Sequence, residues 1–113
     1  MADAGAILRE IADLLGAPAD GGEAPALDLI ERTLTEGYAQ ALALEAERWR
    51  LERRIGEVAR EVHDADFSAF AEELTSLGRR LTSVDGEIAE LRPLLDSLQE
   101  RARTARSAVH ATR

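Results

Sequence analysis

Residues 67–109 read FSAFAEELTSLGRRLTSVDGEIAELRPLLDSLQERARTARSAV, and an apolar residue returns every third or fourth position throughout. Phe67, Phe70, Leu74, Leu77, Leu81, Val84, Ile88, Leu91, Leu95, Leu98, Ala102, Ala105 and Val109 fill the a and d positions of a heptad without one polar interruption. A stripe this narrow is the seam of a coiled coil, where each side chain enters a hole on a facing helix. This stretch decides the fold class: all-α, built on long helices.

The same spacing occurs earlier, at Leu27, Ile30, Leu34, Gly37, Ala41, Leu44, Arg48, Leu51, Ile55, Val58 and Val62, with only Gly37 and Arg48 breaking its apolar character. Between the runs lies His63-Asp64-Ala65-Asp66, a short polar turn in which Asp66 suits the N-cap of the second helix. Helices joined by so short a connection become antiparallel neighbours. The pattern predicts a long antiparallel coiled-coil hairpin over residues 25–113, with arms at about 26–63 and 66–111. Setting Val62 opposite Phe70 places Val58 against Leu74, Ile55 against Leu77, Leu51 against Leu81 and Leu44 against Ile88. Ala41 then meets Leu91, Gly37 meets Leu95 and Leu34 meets Leu98.

Two positions disturb the arms. Pro93 lacks an N–H to offer the carbonyl of Ala89, and its ring crowds the preceding turn. The heptad phase runs through Pro93 without a skip, which predicts a kinked but continuous helix. A hinge at the level of Gly37 and Pro93 is the functional alternative. Arg48 in the seam reads as a snorkelling side chain whose guanidinium reaches Glu45, Glu52 or Glu87, or as a polar residue that sets register.

Residues 1–24 form the other part: a short amphipathic helix over 3–15, with Ala4, Ile7, Leu8, Ile11, Leu14 and Leu15 on one face, then a connector rich in glycine. Pro25 suits the first turn of the next helix. Residues 99–113, rich in Arg, Ala, Ser and Thr, are expected to fray at their end.

Composition narrows the function classes. Of 113 residues 45% are hydrophobic, but only 4% are aromatic, enough for a seam and thin for a bulky globular core. The net charge of −8 argues against nucleic acid, which calls for a basic face. Ten Asp and Glu stand against Arg9 and Arg32 in residues 1–47, whereas residues 48–113 hold twelve of each sign. There are no cysteines, so disulfide and thiol chemistry do not enter. No apolar run approaches the ~20 residues of a bilayer span, and Met1-Ala2-Asp3-Ala4 does not start a signal peptide, so a cytoplasmic protein is expected.

One flank of the hairpin departs from an ordinary solvated surface. The b and e positions of the first arm carry Tyr38, Leu42, Glu45, Trp49, Glu52, Gly56 and Ala59; those of the second carry Ala71, Thr75, Gly78, Thr82, Asp85 and Ala89. In an antiparallel pair the two e edges share a side. The candidate protein interface is therefore Tyr38, Leu42, Trp49, Gly56, Ala71, Thr75 and Gly78, where small residues admit close approach of another helix. The N-terminal helix spans ~20 Å and can fold back over residues 29–38, covering Leu29, Leu34 and Tyr38, but hardly reaches Trp49, ~36 Å from Pro25. Trp49 and Leu42 are then left for a second chain.

No constellation for catalysis is present. His63 and His110 are isolated from each other, and Gly21-Gly22 lacks the Lys and Ser/Thr of a phosphate loop. Glu61, His63, Asp64 and Asp66 cluster near the turn, read as a solvated, capped turn rather than a metal site. No cofactor and no enzymatic activity are expected. In its acidity and hairpin periodicity the chain resembles flagellar type III export chaperones, a likeness carried by no residue motif. Secreted hairpins with a Trp-x-Gly turn are not matched, since Trp49 is followed by Arg50 and Leu51 within a helix. The expected role is a protein–protein interaction or scaffold module forming a homodimer, a four-helix bundle of two hairpins. The export-chaperone resemblance implies the alternative, a chaperone or adaptor holding an amphipathic helix of a client.

Overall fold

The computed structural model describes residues 4–61 and 67–111, and within these the side chains of residues 5–61 and 67–109. Three helices follow in order: α1, Ala4–Gly16; α2, Leu27–Glu61; and α3, Phe67–Ala111. The described residues contain no strand. The turn at His63-Asp64-Ala65-Asp66, the Asp66 cap, the pairing of Val62 with Phe70 and the acidic cluster with His63 all lie outside the described residues, as does the side chain of His110.

Each helix begins and ends for a local reason. The N–H groups of Leu29 and Ile30 donate to the carbonyl of Ala26 (3.0 and 3.2 Å), so Ala26 opens α2 with Pro25 just ahead of it. Asp28 in the first turn and Arg60 in the last complement the helix dipole. Between α1 and α2, Gly21 takes φ +88°, which a side chain would oppose, and its carbonyl accepts from Ala24 N–H at 3.2 Å. Pro93 sits inside α3, and the helix continues through it.

The long helices α2 and α3 pack together antiparallel, and the chain divides into two compact units, each with its own core. The first comprises Met1–Ala41 and Ala89–Arg113. Its core holds Ile7 and Ile11 from α1, Ile30, Leu34 and Ala41 from α2, and Leu91, Leu95, Leu98 and Ala102 from α3. Here the seam is shared by three helices rather than two. A Cβ built on Gly37 would lie 2.5 Å from Leu95 Cδ2 and 3.4 Å from Ile11 Cδ1, so Gly37 is where both neighbours press on α2. Glu31 meets Arg106 at 3.3 Å. The Gly37–Leu95 pairing is the one expected from the heptads.

Within this unit Arg101 makes a long-range tie. Its guanidinium donates to the carbonyls of Leu14 (3.3 Å), Leu15 (2.7 Å) and Ala17 (2.9 Å), the last acceptors of α1 and its exit. The last turn of α1 carries no basic residue of its own. A cation from α3 supplies both the missing donors and the charge favoured at a helix C-terminus.

The second unit, Leu42–Ile88, buries Leu44, Leu51 and Val58 of α2 with Leu77 and Val84 of α3. Charged pairs border it. Arg54 donates to Glu73 through Nε and Nη2 (3.0 and 2.8 Å), and Glu47 faces Arg80 at 3.9 Å. The Glu73 carboxylate raises the Arg54 guanidinium still further above its ordinary value, first by hydrogen bonding and then by charge. Arg54 stays cationic at any pH where the helices persist.

Several seam expectations are corrected at the ends. Phe67, in the first turn of α3, is 74% exposed. Val109 is exposed as well. Residues 99–109 are helical, Ala102 is fully buried, and Arg101 and Arg106 are engaged, while residues 112–113, at the end expected to fray, lie outside the described residues. Arg48 reaches Glu52 (3.3 Å) and Asp85 (2.8 Å), so its cross-helix partner is Asp85 rather than Glu87.

Candidate protein interface

The interface residues inferred from the b and e positions fall on both units, and each is described where it stands. Tyr38, in the first unit, is 41% exposed, as is Leu29. α1 was expected to cover Leu29, Leu34 and Tyr38; Leu34 is buried, a position the seam also assigns, while Leu29 and Tyr38 stay exposed. α1 packs through Ile7 and Ile11 toward Gly37 and Leu95, which leaves the outer edge of α2 open.

In the second unit Leu42 is 68% and Trp49 58% exposed, seven residues apart on one face of α2. The Arg53 guanidinium carbon lies 4.9 Å from the Trp49 ring centroid, a cation–π contact that covers part of one ring face. Beyond the indole the helix is notched. A Cβ on Gly56 would meet only Arg60 Nη2, at 3.9 Å. Trp49, Arg53, Gly56 and Arg60 line a shallow groove of about 440 Å³ together with Glu52 and Glu57. Ala71 and Thr75 line another of about 400 Å³ on α3 with Glu72, Ser76 and Arg79. The Thr75 hydroxyl donates to the Ala71 carbonyl (2.8 Å) and that of Thr82 to Gly78 (3.0 Å), so neither hydroxyl has a spare donor. A Cβ on Gly78 meets nothing within 4 Å.

A third groove lies in the first unit between α1 and α2. Glu10, Asp13 and Leu14 line it from α1 and Leu29, Arg32, Thr33 and Glu36 from α2, an open groove of about 350 Å³. Thr33 is buried there with its hydroxyl on the Leu29 carbonyl at 2.9 Å. This groove was not singled out from the sequence. The signal available was the spacing: Glu10, Asp13 and Leu14, and Leu29, Arg32, Thr33 and Glu36, each make one helical face.

Among the described residues no buried side-chain nitrogen or oxygen lacks a partner, and no group of three His, Cys, Asp or Glu residues could hold a metal ion. No helix is long and apolar enough to cross a membrane. Compared with protein-family models, with curated proteins and with solved structures, the chain finds no match.

Proposed function

We propose that the protein is a non-catalytic interaction or scaffold module that associates with a second copy of itself through the flank carrying Leu42 and Trp49. The observation that supports this reading is the exposure of those two large apolar side chains on one helical face, beside the notch at Gly56. Fully burying a side chain of this size is favourable by about 1.5–3 kcal/mol. In the proposed homodimer two hairpins form a four-helix bundle. Ala71, Thr75 and Gly78 of α3 allow close approach. A two-fold arrangement uses the same patch on both copies. The second reading, a chaperone or adaptor that holds an amphipathic client helix, would use the same exposed residues and leave them open in the purified protein.

Mass and fluorescence separate the two. In the dimer Trp49 emission is blue-shifted and protected from quenchers, and Leu42→Glu moves it to the red as the mass by light scattering halves. A wild-type monomer with water-exposed Trp49 would sink the homodimer and leave the client-binding reading standing.

A further inference from the structure

We infer that the groove between α1 and α2 is a second docking surface, which takes a cationic amphipathic segment of a partner protein: an apolar side chain seated between Leu14 and Leu29, with Lys or Arg on either side of it. The groove is lined by one face of α1 and one face of α2. Its floor is apolar. Leu14 is half-buried and Leu29 keeps 41% of its surface in water, although it sits beside the buried Thr33. Its rim holds three carboxylates, Glu10, Asp13 and Glu36, against one guanidinium, Arg32. Among the described residues no ion pair engages those three carboxylates, while Arg101 is directed to the end of α1, Arg103 to Glu100 and Arg106 to Glu31.

The charge selects the partner. A rim of three carboxylates and one guanidinium repels phosphate backbones and anionic lipid heads and attracts a basic chain. The groove is also held ready. Ile7 and Ile11 are buried, and the three hydrogen bonds from Arg101 fix the end of α1 that supplies Asp13 and Leu14. A wall that is already ordered leaves less ordering cost to binding. This surface is independent of the self-association proposed above, and its test is run so that the two can fail separately.

The probe is a synthetic amphipathic peptide with Leu on one face and Lys on the other, titrated into isotope-labelled protein and followed by amide chemical shifts. The expected perturbations centre on residues 10–14 and 29–36, in wild type and in Leu42→Glu alike. Glu10→Lys, Asp13→Lys and Glu36→Lys together weaken binding by about tenfold or more. Leu29→Ala, a change at an exposed position that spares the fold, weakens it by about threefold or more, since contact with the floor is lost. A peptide with Ser in place of Leu binds more weakly than the parent. Equal binding of the Ser peptide would reduce the surface to unspecific charge attraction and overturn the proposal. Perturbations confined to Leu42 and Trp49, or loss of binding only in Leu42→Glu, would also overturn it.

Discussion

Gly37 shows how one residue sets a packing distance. Its absent side chain is the space into which Leu95 and Ile11 fit, and Leu95 is itself almost fully buried, with nowhere to turn. Gly37→Ala brings a helix-propensity gain of about 1 kcal/mol but forces an overpacked core at a cost of about 1–3 kcal/mol. A net loss of stability is expected in chemical denaturation. Gly86→Ala is the control: a Cβ there meets nothing within 4 Å, so the same replacement in α3 should stabilise by about 0.5–1 kcal/mol. Equal effects of the two changes would show that Leu95 and Ile11 yield freely. Both glycines interrupt long helices, and the seam spacing already set Gly37 against Leu95. What spacing did not reveal was the third party, Ile11 of α1, because an isolated amphipathic helix does not announce which groove it will enter.

At the scale of the element, α3 is the instructive case. Its heptads run unbroken for thirteen apolar positions, and the helix tolerates Pro93 without ending. An interior proline forgoes a backbone hydrogen bond and crowds the carbonyl four residues before it, costing up to ~3 kcal/mol. Pro93 is exposed, so its ring gives up little packing when replaced. Pro93→Ala should therefore raise the thermal midpoint in circular dichroism with the helix content unchanged or slightly increased. A fall in the midpoint would mean that the bent path, not the straight one, is what the buried Leu91 and Leu95 on either side require. The same helix shows where periodicity misleads at its margins, since Phe67 satisfies the heptad and still lies in solvent.

For the whole molecule, the distribution of buried residues predicts where the chain opens first. Among the described residues, five of the six largest fully buried side chains, Ile7, Ile11, Leu91, Leu95 and Leu98, belong to the unit containing α1, and Val58 to the other. Three-helix packing gives each core residue neighbours on two sides, and local opening free energy follows such burial. Amides of residues 30–41 and 91–102 should outlast those of 44–58 and 77–84 in hydrogen exchange on dilute protein. Faster exchange in the first set would contradict a core centred on α1. Should the proposed homodimer form, protection of residues 44–58 should rise with protein concentration while that of 30–41 changes little, because burial by a second copy is a mass-action effect.

The sequence by itself determined the class of structure: the three-four spacing named the two long helices, aligned Gly37 with Leu95, carried α3 through Pro93, and left Leu42 and Trp49 off the seam, where both are exposed. Such features are legible because a helix converts residue spacing into a face, and the face is local. The choice of Asp85 over Glu87 for Arg48, the tie from Arg101 to the carbonyls of Leu14, Leu15 and Ala17, and the acidic groove of Glu10, Asp13 and Glu36 were decided only by tertiary structure. Each depends on how α1 docks or how two side chains meet across helices. Arg101 and Leu14 are 87 positions apart, and no period along the chain relates a guanidinium to a carbonyl that becomes its neighbour only after folding.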